Sequence, residues 1–91
     1  MPLLSFATDE EAIQKANNTV YGLGASIWSG SVARANNMAR QIEAGTVWVN
    51  AHFEMDAGVP FGGHKQSGIG VEQGVQGLKS YCNTQTLYLK K

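Results

Sequence analysis

The sequence lacks most of what marks a secreted, membrane-spanning or nucleic-acid-binding chain. It has one cysteine, Cys82. No internal disulfide can form, a reducing compartment is permitted, and the cytoplasm is the expected location. It has no excess of either charge, with seven basic and seven acidic residues. The basic residues are scattered and only Lys90 and Lys91 are adjacent, so neither a nucleic-acid footprint nor a polybasic membrane patch is present. No apolar run approaches the roughly 18–20 residues of a membrane helix. The opening "MPLLSFATDEE" has no basic stretch and turns acidic by Asp9, which is not the pattern of a signal peptide. Charged residues are also scarce, at 15%, where about 25% is usual.

What remains is a glycine-rich, moderately apolar chain of 91 residues with 11 glycines and 43% hydrophobic residues. That length allows one domain at most. A compact chain of this size buries roughly 60–65% of the surface it exposes when unfolded. Few charges and many glycines point to a piece that is covered by something else.

Along the chain, Leu3, Leu4 and Phe6 predict a short buried strand. Thr8 and Glu11 have capping-box spacing, and Asp9 and Glu10 suit the positive end of a helix, so a helix is expected over 9–17, ended by Asn17-Asn18 and Gly22. "LGASIWS" reads as a second strand. Ser29-Gly30-Ser31 is a turn that offers an N-cap. Val32, Ala35, Ala39 and Ile42 then mark a second helix, with Gly45 as its C′ glycine. "TVWVN" (46–50) reads as a strand buried on both faces. The fold class is therefore α/β, a partial parallel sheet in β-α-β-α-β order with right-handed crossovers. A long loop follows over 51–70, then a short helix with Val71, Val75, Leu78 and Cys82 on one face, then a C-terminal strand over 84–89.

The loop "PFGGHKQSGIGVEQG" (60–74) invites a phosphate-binding reading. Gly63 and Gly68 have Walker A spacing, but Ile69-Gly70 stands where Lys and Ser or Thr must be. Gly68, Gly70 and Gly74 give G-x-G-x3-G rather than the dinucleotide fingerprint, and the loop starts well after the strand. The better reading is a tight turn whose glycines adopt positive φ and pass close to other backbone. His52 and His64 lie near Glu54 and Asp56 without metal-ligand spacing, so no metal site is expected. Cys82 reads as a buried structural cysteine on the third helix. No Ser/His/Asp arrangement is legible. Glu72 opens that helix after a glycine turn. It is either a helix-dipole partner or, if partly buried, a general base or proton relay.

Several ordered blocks are more specific than any of these. "ANNTVYGLGASIWS", "RANNMARQIEAG", "AGTVWVN" and "PFGGHKQSGIGVEQGVQGL" together resemble the C-terminal part of the aldehyde dehydrogenase superfamily, across about Leu3 to Leu89. The resemblance implies a catalytic-domain segment over 1–81 and an oligomerisation strand over 82–91. Enzymes of that family oxidise aldehydes to acids with NAD or NADP. A cysteine thiolate attacks the aldehyde, hydride passes to the nicotinamide, and a glutamate activates water against the thioester. By resemblance, Phe61 lines the pocket near substrate and nicotinamide, Glu72 belongs to a proton relay, and Asn50 fixes a loop. Gly62, Gly63, Gly68 and Gly70 shape the turn between them. The resemblance puts the family's nucleophilic cysteine, its water-activating glutamate and its dinucleotide-binding domain in segments with no counterpart here, and Cys82 does not match the nucleophile. The expectation is a fragment or truncated relative that is inactive alone and binds no cofactor by itself. The alternative is a self-associating interaction module. It would form a homo-oligomer through exposed strand edges, or pair with a full-length aldehyde dehydrogenase and modulate it.

Overall fold

The computed structural model describes all 91 residues. Helix α1 spans Asp9–Asn17, the range that local chemistry predicts. Thr8 is extended and its Oγ1 accepts from the Glu11 N–H at 3.2 Å. The Glu11 carboxylate reaches back to the Ala7 N–H at 2.8 Å, one residue earlier than in a standard capping box. Glu11 also pairs with Lys15 one turn later, at 2.6 Å. The Lys15 ammonium and then the Ala7 N–H hold its carboxyl below the usual glutamate range.

Strand β1 (Tyr21–Gly22) and strand β2 (Gly24–Ile27) follow. Helix α2 spans Val32–Ala39, with the Ser31 Oγ accepting from the Arg34 N–H at 3.3 Å. Its first turn is locked to α1 by a two-pronged Arg34–Asp9 pair. That guanidinium lowers the Asp9 pKa, and Asp9 in turn raises that of Arg34. The helix stops before Ile42, where Gln41 and Ile42 donate to the carbonyls of Met38 and Ala39 in a tightened last turn. Gly45 therefore does not serve as the C′ glycine.

Strand β3 (Thr46–Val49) pairs parallel with β2, Gly24 opposite Thr46 and Ile27 opposite Val49, so β2-α2-β3 is one crossover unit. The four β3 residues stay half-exposed rather than buried on both faces, because β3 has one strand neighbour and one packed helix. Strand β4 (His64–Lys65), inside the segment read as loop, pairs antiparallel with β1. Helix α3 spans Gly74–Lys79 and is shorter than the apolar spacing implies.

The two terminal strands do not form within this chain. Leu3–Phe6 and Thr84–Leu89 carry no assigned secondary structure. A strand exists only when its backbone groups have a ladder partner, and neither segment finds one here. Cys82 is exposed, not buried. Val75 and Leu78 also face solvent, because no element of this chain packs over that side of α3. No helix is long and apolar enough to cross a membrane.

Only Gly22, Ala35 and Gly77 are buried, so no large side chain lies in a sealed core. The accessible surface is 7621 Å², against about 5,200 Å² for a compact monomer of this mass. Roughly 46% of the unfolded chain's surface is buried, below the 60–65% expected of a compact chain. The radius of gyration is 17.7 Å, against about 12 Å for a compact domain of this length.

Candidate functional site

The loop 60–74 is closed at its base by two residues eleven apart in sequence. Phe61 N–H donates to the Glu72 carbonyl at 2.8 Å, and Glu72 N–H donates to the Phe61 carbonyl at 2.7 Å. This mutual exchange places them directly opposite, as in an antiparallel hydrogen-bonded pair. Phe61 and Glu72 are thus fixed opposite one another through their backbones, and both line a cavity of about 350 Å³ with Leu23, Ser67, Ile69 and Val71. Glu72 does not open α3, contrary to its reading as a helix-opening residue. Gln73 lies between them at φ 61°, and α3 begins at Gly74. Glu72 is held by its backbone, and its exposed carboxylate joins none of the chain's ion pairs.

The loop's glycines answer to space and to torsion. A Cβ on Gly62 or Gly63 would sit 2.7 Å from the Gly70 carbonyl oxygen or the Ser67 Cβ, while Gly68 and Gly70 stand at φ 147° and 89°. Gly68 and Gly70 thus adopt positive φ, and Gly62 and Gly63 leave no room for a side chain. The closest approach involves a glycine outside the loop: a Cβ on Gly45 would lie 1.6 Å from the Gly62 carbonyl oxygen.

Asn50 fixes the end of β3. Its backbone N–H donates to the Ile27 carbonyl at 2.8 Å, which extends the β2–β3 ladder. Its Oδ1 then accepts from the Ser29 N–H at 2.8 Å, and its Nδ2 donates to the Ser29 carbonyl at 3.0 Å. The side-chain amide imitates one further peptide of strand while the backbone turns away at φ 52°, a conformation asparagine tolerates well. From there the chain passes His52 and Phe53, whose rings cluster with that of Trp48 on β3 at 5.9–6.3 Å, and reaches Phe61.

The histidines do not join a metal-binding cluster, since no three His, Cys, Asp or Glu side chains converge. His52 Nδ1 instead meets the Ser26 Oγ at 2.8 Å. The Cys82 Sγ lies 3.6 Å from the Leu78 carbonyl oxygen, at the far end of α3. Two features had no readable signal. Gln73 has a buried Oε1 without a partner. The Ser67 Oγ accepts from the Gly22 N–H at 2.8 Å across 45 residues. Neither belongs to a periodic pattern, and long-range polar contacts leave no trace in local spacing.

A model described as the aldehyde dehydrogenase family matches residues 1–87. The betaine aldehyde dehydrogenase of Brucella anthropi is 42% identical over 90 residues, which is 99% of this chain and 18% of that protein. The 2-hydroxymuconic semialdehyde dehydrogenase of Pseudomonas putida is 49% identical over 93% of this chain and 18% of its own length. Among solved structures, betaine aldehyde dehydrogenase from Staphylococcus aureus in complex with NAD⁺ superposes with a TM-score of 0.82 and 45% identity, covering 84% of this chain and 15% of that one. The chain thus spans less than a fifth of the length of the curated relatives it matches. Shared sequence and a shared backbone path establish that this chain belongs to the aldehyde dehydrogenase family.

Proposed function

We propose that these residues form one wall of an aldehyde-oxidising site and do not oxidise aldehydes by themselves. The observation that carries this reading is the Phe61–Glu72 pair, which presents an aromatic ring and a carboxylate together on an open cavity. Phe61 offers apolar surface against a substrate. Glu72, exposed and free of ion pairs, is suited to pass protons between the site and solvent.

The remaining chemistry has no residues here. Thiolate attack needs an activated cysteine with a base or cation beside it. Cys82 has only the Leu78 carbonyl as a hydrogen-bond partner. A nicotinamide cofactor, when bound, supplies the hydride acceptor. The glycine loop 60–74 is not suited to build its site, because its glycines lack the dinucleotide spacing and lead only into α3, which is six residues long. The reading places the chain in the cytoplasm.

The test is the purified chain with NAD⁺ or NADP⁺ and a panel of aldehydes, followed by absorbance of the reduced nicotinamide. No turnover above the blank is expected. Turnover that Cys82→Ser abolishes would overturn the reading.

The uncovered surface favours a second reading, association with another chain. The excess over a compact monomer is about 2,400 Å², where a standard interface takes roughly 800 Å² from each partner. Pairing with a second copy, or with a full-length aldehyde dehydrogenase, would cover the free edges of β2 and β3. Sedimentation is expected to show a dimer or larger at micromolar concentration. A clean monomer there, unchanged by added dehydrogenase, speaks against both partners.

A further inference from the structure

We infer that Lys65 is the positioning residue that holds the Phe61–Glu72 wall on the β2-α2-β3 unit. The inference rests on reading that pair as the wall of a site. Lys65 stands in the middle of the loop at φ 53°, a conformation in which glycine or asparagine would be easier. Backbone preference therefore does not explain a lysine there, but its side chain does. Nζ lies 2.8 Å from the Asn17 carbonyl, 3.3 Å from the Thr19 carbonyl and 2.6 Å from a Glu43 carboxylate oxygen. An ammonium has three N–H donors, and all three have acceptors.

The acceptors come from separate parts of the scaffold. Asn17 ends α1, so its carbonyl lies at the negative end of the helix. Glu43 sits in the link between α2 and β3. That link is tied to Asn17 through Nδ2 to the Gln41 carbonyl at 2.8 Å and through Oδ1 from the Glu43 N–H at 2.9 Å. One lysine therefore joins α1, the α2–β3 link and the loop. The backbone contacts nearby are few: the β1–β4 pair, and Gln66 N–H to the Val20 carbonyl at 2.9 Å.

An exposed ion pair alone would matter little. The Glu43 side chain is 58% exposed while that of Lys65 is 25% exposed, so the two carbonyls are the more important partners. Removing the lysine is then expected to act differently from removing the carboxylate.

Amide hydrogen exchange on the full chain by NMR tests this without substrate. Lys65→Met should speed exchange of the Phe61 and Glu72 amides about tenfold while the Thr46–Val49 ladder changes less than about threefold. Glu43→Gln should leave both sets within about threefold. A slowly exchanging Lys65 ammonium signal should be visible in the unsubstituted chain and in no Lys65 variant. Equal acceleration of both sets by Lys65→Met would make Lys65 a general stabiliser and overturn the inference. So would unprotected Phe61 and Glu72 amides in the unsubstituted chain, or Glu43→Gln matching Lys65→Met. Turnover by the isolated chain that Cys82→Ser abolishes would instead refute the reading that these residues do not act by themselves, and would leave these exchange results standing.

Discussion

Replacing Asn50 separates two roles that one residue combines. Asn50→Ala removes both side-chain hydrogen bonds to Ser29, each worth about 0.5–1.5 kcal/mol net. It also leaves an alanine at φ 52°, which adds roughly 1 kcal/mol. The expected loss is therefore about 2–4 kcal/mol. Asn50→Gly loses the same two bonds and relieves the torsion, for about 1–3 kcal/mol. Asn50→Asp keeps the acceptor for the Ser29 N–H but sets a carboxylate oxygen against the Ser29 carbonyl, for about 1–2 kcal/mol. Urea titration followed by the fluorescence of Trp28 and Trp48 measures all three, compared at equal m-values. A chain of this length has roughly 5–14 kcal/mol of stability if compact. With only three residues buried, the alanine variant should show a large shift in midpoint. An alanine variant within about 0.5 kcal/mol of the unsubstituted chain would refute the strand-mimicking role. A glycine variant as damaged as alanine would refute the torsional part.

Gly45→Ala should lose about 3 kcal/mol or more, because its Cβ would meet backbone that cannot yield, at 1.6 Å from the Gly62 carbonyl oxygen. Gly30→Ala has open space within 4 Å and should be neutral or up to about 1 kcal/mol stabilising. Thermal unfolding by circular dichroism separates them, and equal midpoints would refute the close-approach argument. Gln73→Leu should gain about 1 kcal/mol by removing the unpartnered buried Oε1. A loss in the same assay would mean that this oxygen has a hydrogen-bond partner after all.

Helices α1 and α2 were legible because their signals are local. Thr8 and Ser31 cap within three residues of themselves, so the starts of these two helices are written in adjacent chemistry, whereas α3 has no side-chain cap. The β2-α2-β3 unit was legible because alternating apolar segments with a helix between them allow few other arrangements. Asn50 and Phe61 were singled out by family motifs rather than by pattern. What those motifs left open was geometry: that the Asn50 amide substitutes for a peptide, and that Phe61 is paired with Glu72.

The remainder depended on partners distant in sequence. Lys65 reaches Asn17 across 48 residues, and Gly45 is a glycine because Gly62 passes beside it, not because a helix ends there. Apolar spacing alone marked Val71, Val75, Leu78 and Cys82 as an inward face. That spacing says which residues would favour burial, but burial needs a covering surface, and α3 has none in this chain. The amino-acid sequence by itself determined the starts of α1 and α2, the crossover unit and the family, since capping and motif identity are properties of neighbouring residues. Only the tertiary structure decided which apolar segments become strands and which residues meet across the loop, because a ladder hydrogen bond or a close backbone approach exists only once both partners are in place.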